Sequence, residues 1–272
     1  MQGVNMPLSF PIHLPRHAFS SRDSARAGDI WRCFQESAVE GSTRVGWSPA
    51  RYREAGSAFV VRSMTVVHSQ EAQYGETLEA TTWVANFRRG ILTTREIRLN
   101  GPRGLLASAT QEWVHVTGGL RPVRASAECQ AAFPVEEIEP SPTLPICVEE
   151  IDSQTSEFTF ELWHSWMDPL GHANHPMYLD WCDEALCRGM HQAGLDPVGL
   201  RPVAERVTWK LGVEAPDRVS VMTTVKGVTA LDEVVFEHRI INSEQKLCAT
   251  AVTVRGLAGV SGRLLLQAFV GE

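Results

Sequence analysis

The sequence predicts an α+β protein in which one unit, a long helix wrapped by an antiparallel sheet, occurs twice. Three observations carry this expectation. The order of strand, long helix and strand-rich meander recurs in the two halves of the 272-residue chain. A proline- and acid-rich seam separates the halves. The strand candidates alternate polar and apolar residues, as sheets with one covered face do. The expected organisation is an N-terminal unit over 1–121, a linker or crossing segment over 122–152, and a C-terminal unit over 153–272. Two unrelated α+β domains are the alternative, since this length allows one large domain or two of roughly 100–150 residues.

In the first half a short extended stretch, Pro11 to Leu14, precedes a helical pattern from Asp29 to Glu40. Ile30, Cys33, Phe34, Ser37 and Ala38 recur at three- and four-residue spacing, which gives one apolar face. Four β-rich runs follow: Phe59–Val67, Thr77–Val84, Ile91–Leu99 and Leu106–Val116. Asn100-Gly101 is a turn signal between the last two. The seam then carries Pro122, Pro134, Pro140, Pro142 and Pro145 among Glu136, Glu137, Glu139, Glu149, Glu150 and Asp152. Dense proline with like charge disfavours packed structure and reads as a crossing.

The second half repeats the order. Phe158 to Trp163 alternates as a strand. A helix starts at Pro176 and runs to Gln192, with Tyr178, Trp181, Ala185 and Leu186 on one face and Gly194 placed to end it. Strand candidates lie at Ala204–Val213, Arg218–Val228, Glu233–Ile241 and Ala249–Val254. A helix flanked by β-hairpins in about 120 residues must be wrapped by its sheet to bury its apolar face. This order resembles the hot-dog fold, here in tandem.

Composition narrows the function classes. With 25 Lys+Arg against 32 Asp+Glu, the net charge of −7 argues against a nucleic-acid binder, whose affinity rests on phosphate neutralisation. No apolar run approaches the ~20 residues of a membrane span, and MQGVNMPLSF lacks the charged and apolar regions of a signal peptide. Cys33, Cys129, Cys147, Cys182, Cys187 and Cys248 show no C-x-x-C spacing, so they read as reduced thiols of a cytoplasmic protein. Arginine dominates the cations; the lysines are Lys210, Lys226 and Lys246.

Chemistry concentrates between Trp166 and Glu184. A strand delivers Asp168 into a loop, Gly171 lets backbone approach a ligand, and a helix begins a few residues later. Unpaired N–H groups at a helix start can polarise a carbonyl and hold an oxyanion. A carboxylate just before them can attack an acyl carbon or activate water. Thioester cleavage needs these two parts and no cofactor or metal.

This segment resembles the active-site stretch of the acyl-acyl carrier protein thioesterases, within the 4-hydroxybenzoyl-CoA thioesterase-like hot-dog group. That branch reads D-x-N-x-H-V-N-N-x-x-Y-x-x-W-x-x-E, and Asp168, His172, Asn174, Tyr178, Trp181 and Glu184 occupy matching positions. Upstream, Gln35-Glu36 matches an L-L-Q-E motif. Tyr74-Gly75-Glu76, Thr82-Trp83-Val84, Arg95-Glu96 and Trp113-Val114 sit as the family's first-half sheet does. The resemblance covers Phe10 to Gly256. It departs at Leu170, where the family has its catalytic Asn, and at His175, where it has a second Asn. The family's Glu after the second helix falls on Glu214 only with a one-residue gap.

The resemblance implies a thioesterase acting on acyl carrier protein or CoA thioesters and releasing the free acid. Asp168 is the nucleophile or general base, with a helix cap as its structural alternative. His172 positions water, Asn174 forms the site or caps the loop, and Glu184 and Glu214 are further catalytic candidates. Leu170, Gly171, Ala173 and Tyr178 are expected at the substrate, with the N–H groups of Gly171 to Ala173 polarising its carbonyl. Tyr178 and Trp181 also fit a plain core role, and Glu36 a structural one. The first half is expected to wall the acyl pocket. An acidic carrier would need a local basic patch, for which Arg88, Arg89, Arg95, Arg98, Arg206, Lys210 and Arg218 are candidates. A homodimer is open. Two other readings stand: a hot-dog hydratase or dehydratase, which Asp168-(x)3-His172 only approximates, and a non-hydrolytic acyl-binding or acyl-transfer protein, which would explain Leu170.

Overall fold

The computed structural model describes residues 7–270, so MQGVNM lies outside the described residues. The first half runs β1 (Leu8–Ile12), α1 (Ala27–Arg44), α2 (Pro49–Glu54), β2 (Ser57–His68), β3 (Leu78–Arg88), β4 (Leu92–Gly101) and β5 (Gly104–Thr117). The crossing segment holds α3 (Ala127–Ala132) and β6 (Cys147–Glu150). The second half runs β7 (Ser156–Glu161), α4 (Met177–Gln192), β8 (Leu200–Trp209), β9 (Arg218–Thr229), β10 (Val234–Asn242), β11 (Leu247–Leu257) and α5 (Gly262–Val270).

Helix α1 forms on the apolar spacing that marks it in the sequence, and buries Ile30, Trp31, Phe34 and Ala38. Each large side chain so buried contributes about 1.5–3 kcal/mol. Gly46, at φ +84°, turns the chain away after its last turn. Helix α4 buries Tyr178, Leu179, Trp181, Cys182, Leu186 and Met190. Its end is closed by Gly194 at φ +78°, with the Leu195 N–H donating to Met190 O.

The strand order is β1-β3-β4-β5-β2-β8-β11-β10-β9, with β6 and β7 pairing separate parts of β9. Each half therefore uses the same internal order, and the halves are mirrored about β2 and β8. These strands pair antiparallel from Ser63↔Thr208 to Val67↔Ala204, making one continuous sheet. A buried polar network crosses the junction. Glu205 on β8 accepts from His68 on β2 (2.8 Å), Trp31 Nε1 on α1 (3.1 Å) and Arg255 on β11 (2.5 Å), and Arg255 continues to Asp183 on α4. Burial alone would raise the Glu205 pKa, but His68 and Arg255 hold it at about 2.

One expectation is corrected. The crossing segment is not bare linker: Ser126 caps α3 by accepting from Cys129 N, and Ala125, Cys129 and Phe133 pack with Trp47 and Val84. Small apolar residues between the prolines supply the face that the proline count concealed. Helix α5, beyond the elements the sequence predicts, lays Leu265 and Phe269 over Leu186, Met190 and Phe236. Gly189 on α4 admits Phe269, since a Cβ there would stand 2.5 Å from the ring. No helix among the described residues is long and apolar enough to cross a membrane.

Candidate active site

A 3-10 turn at His164–Trp166 leads into a tight loop pinned by a bridge between Met167 and Ala173. Inside it, Asp168 N donates to His172 O (2.7 Å) and Gly171 N to Asp168 O (3.0 Å). Gly171 holds φ +85°, a conformation that glycine adopts without strain. Asp168 Oδ1 accepts from the N–H groups of Leu170 (2.8 Å) and His172 (3.3 Å). The carboxylate is fixed through one oxygen, leaving Oδ2 without a hydrogen bond among the described residues.

That bonding corrects the expected oxyanion site. The N–H of Gly171 is bonded to Asp168 O, that of His172 to Asp168 Oδ1, and that of Ala173 to Val213 O (2.8 Å). A closed loop must satisfy its own donors, so none of the three is free to polarise a carbonyl.

The loop borders a cavity of about 790 Å³, a usual size for a small-molecule site. Asp168, Leu170, His172, Ala173 and Tyr178 line it, while α1, α2 and strands β2 to β5 of the first half supply most of the wall. His172 Nε2 stands 3.3 Å from Glu214 Oε1, so the gapped assignment of Glu214 falls next to the loop. The imidazole rests on Gly212, where a Cβ would lie 2.3 Å from His172 Cδ2. Tyr178 is buried beneath the loop, and burial pushes its phenol pKa up. Asn174 is not part of the cavity wall; its Oδ1 accepts from Gln35 Nε2 (2.8 Å), tying the loop to α1.

Glu184 is not brought to this site. It pairs with Arg188 (2.8 Å) at the surface of α4 and borders grooves elsewhere. Six residues beyond Tyr178 is about 240° further round a helix, so the two side chains face apart.

His175, which departs from the motif, is a further residue of the site. It is half-buried in the cavity wall between Trp113 and Trp209, and its Nε2 is covered and has no hydrogen-bond partner. Burial, with help from Arg32, lowers its pKa to about 3, so the ring is neutral. Trp209 Nε1 in the same wall is also unpartnered. The only sequence signal was the paired histidine before Pro176.

Of the expected basic patch only Arg95 and Lys210 fall in the cavity wall. Arg95 is buried, Arg98 lies over the Trp83 ring, and Arg88 reaches Glu112. Arg206 bonds Thr65, while Arg89 and Arg218 are exposed away from the cavity wall. The exposed cations of that wall are Arg53, Arg62 and Lys210. Among the described residues, no cluster of His, Cys, Asp and Glu is arranged to hold a metal.

The first half repeats the loop without its chemistry. A 3-10 turn at Arg16–Ala18 and a bridge between Phe19 and Ala25 enclose Ser20 N→Ser24 O (2.9 Å) and Asp23 N→Ser20 O (3.0 Å). Ser20 Oγ accepts from Arg22 N (3.2 Å), as Asp168 accepts from Leu170. Asp23 takes the positive φ of Gly171. Ser20, Ser24 and Arg26 therefore stand where the second half has Asp168, His172 and Asn174.

Residues 162–265 match the sequence profile of the thioesterase-like superfamily. Among curated proteins no sequence matches. Among solved structures, an oleoyl thioesterase (putative) from Lactobacillus plantarum superposes with a TM-score of 0.79 at 17% identity, covering 96% of this chain and 100% of that one. The 12:0-ACP thioesterase from Umbellularia californica gives 0.72 at 14%, covering 92% and 94%. An acyl-ACP thioesterase from Bacteroides thetaiotaomicron gives 0.71 at 14%, covering 91% and 96%. The chain has their tandem hot-dog fold.

Proposed function

We propose that this double hot-dog protein of the thioesterase-like superfamily hydrolyses acyl thioesters at Asp168. The observation that carries the reading is the pinned carboxylate: two backbone N–H groups hold Oδ1, and Asp168 shares a cavity wall with His172. The loop repeated in the first half has serine at both positions.

The acyl chain enters the first-half chamber and the thioester lies against the loop. Asp168 takes a proton from water, whose oxygen adds to the carbonyl carbon. The carbon–sulfur bond then breaks, and the proton passes to the departing thiolate, giving free acid and thiol. His172, paired with Glu214, positions the water. With the loop N–H groups engaged, a side-chain donor polarises the carbonyl; the unpartnered His175 Nε2 and Trp209 Nε1 in the cavity wall support giving them this role. Arg53, Arg62 and Lys210 suit the phosphate of a pantetheine arm and the acidic face of an acyl carrier protein. Acyl carrier thioesters are the favoured substrates, with CoA thioesters second. Six free cysteines fit a reducing cytoplasm.

The test is a thiol-release assay over acyl carrier protein and CoA thioesters, with loss of the enoyl chromophore of crotonyl-CoA followed in parallel. Thiol release supports the reading. Enoyl hydration without it, or binding without turnover, overturns it.

A further inference from the structure

The far end of the chamber is not built for a bare alkyl terminus. Arg95 leaves β4 beneath α1 and is buried, 7% exposed. Its Nη1 donates to Thr82 Oγ1 (3.1 Å) and its Nη2 to Ser42 Oγ (3.5 Å). Neither partner is charged, and no carboxylate among the described residues pairs with the guanidinium. Glu96, its neighbour in sequence, points to the other face of the strand and binds Thr110 and Ser141. Beside Arg95 in the same wall are the Tyr52 hydroxyl, whose polar neighbours are Ser42 and Cys129, and the Trp47 indole N–H; both atoms are buried and neither reaches hydrogen-bond geometry with a partner. Burial holds the Arg95 pKa down to about 10, which still leaves it cationic near neutrality.

A buried charge without a counter-charge costs several kcal/mol, and unmet donors add to it. Three such groups converge on one end of one cavity. In the sheet, Arg95 pairs with Gln111, Gln111 with Met64 and Met64 with Val207. The path from β8 to β4 spans roughly 14 Å at ordinary strand spacing. Strand β8 ends at Trp209, beside the Asp168 loop, so one acyl group can reach both poles.

We propose that the chamber takes acyl groups whose far end bears a carboxylate, bound by Arg95, Tyr52 and Trp47. This rests on the hydrolytic reading for the near end only. An anion at the far pole supplies the missing counter-charge and accepts from the phenol and the indole. A methyl terminus would leave the guanidinium without a counter-charge and the phenol and indole without an acceptor.

The experiment compares kcat/KM of the full-length chain for CoA thioesters in matched pairs: adipoyl with hexanoyl, suberoyl with octanoyl, sebacoyl with decanoyl. Binding of the corresponding free acids is measured by calorimetry alongside. The carboxyl-terminated member should be preferred by at least about tenfold at the best length, because a site built to pair a polar group rejects the analogue lacking it. Arg95→Met should reverse the preference. Tyr52→Phe, which removes only an oxygen, should reduce it severalfold and guards against misfolding of the arginine variant. A methyl-terminated preference at every length in the wild type overturns the proposal. If no thioester is cleaved, the hydrolytic reading fails and acid binding decides. Diacid binding weakened by Tyr52→Phe then supports the far pole, and equal binding of monoacids overturns it.

Discussion

His172 Nε2 and Glu214 Oε1 lie 3.3 Å apart, joining the loop before α4 to the turn after β8. The Glu214 side chain is 69% exposed, so water screens the pair. Exposed pairs contribute at most about 1 kcal/mol, which predicts that Glu214→Gln lowers kcat by no more than about fivefold. His172→Ala, which removes the ring itself, should cost about 100-fold or more. Steady-state thiol release on the two variants checks the ranking, and equal losses would contradict it.

Gly212 sets where that ring can sit. A Cβ there would overlap His172 Cδ2 at 2.3 Å, so Gly212→Ala must displace the imidazole. The expected outcome is a loss of about tenfold to 100-fold in kcat, as misplaced catalytic groups give, with the melting temperature little changed.

Glu184 provides the converse case. Its partner is Arg188 on the outer surface of α4. Glu184→Ala should retain thiol-release activity within about twofold, since exposed helix pairs contribute about 0.3–0.5 kcal/mol.

Two histidines with lowered pKa values, the buried His238 and the half-buried His175, predict an acid-sensitive fold. Burial, with Arg32 near one and Arg255 near the other, lowers the pKa values of His175 and His238 to about 3. An unfolded histidine takes its proton near pH 6.5, so between these values the unfolded chain binds more protons. Stability therefore falls as pH drops through this window, by up to about 1.4 kcal/mol per pH unit for each ring. Urea titrations between about pH 6.5 and 4.5 check the slope. His238→Gln should flatten it by about that amount.

The periodic parts of the fold were legible in sequence. Ile30, Phe34 and Ala38 marked α1, and the strand runs of both halves fell within a few residues of their observed limits. The pairing of Ser63 with Thr208 was not, because contacts between distant segments leave no local pattern. In the sequence Arg95 is a candidate for an exposed basic patch. Arg95 and Glu96 are in fact buried, since α1 covers one face of β4 and Ser141 in the crossing segment covers the other. Asp168 and His172 stood out through their motif. His175 did not, because its setting comes from packing against two tryptophans that lie far away in sequence.

The central claim is that the pinned Asp168 carboxylate activates water at an acyl thioester. Its most direct test is the single-substrate turnover of Asp168→Ala beside wild type, measured by thiol release at matched folded protein. The account predicts a loss of more than about 100-fold, as removal of a general base or nucleophile gives. Hydrolysis at close to the wild-type rate would contradict it.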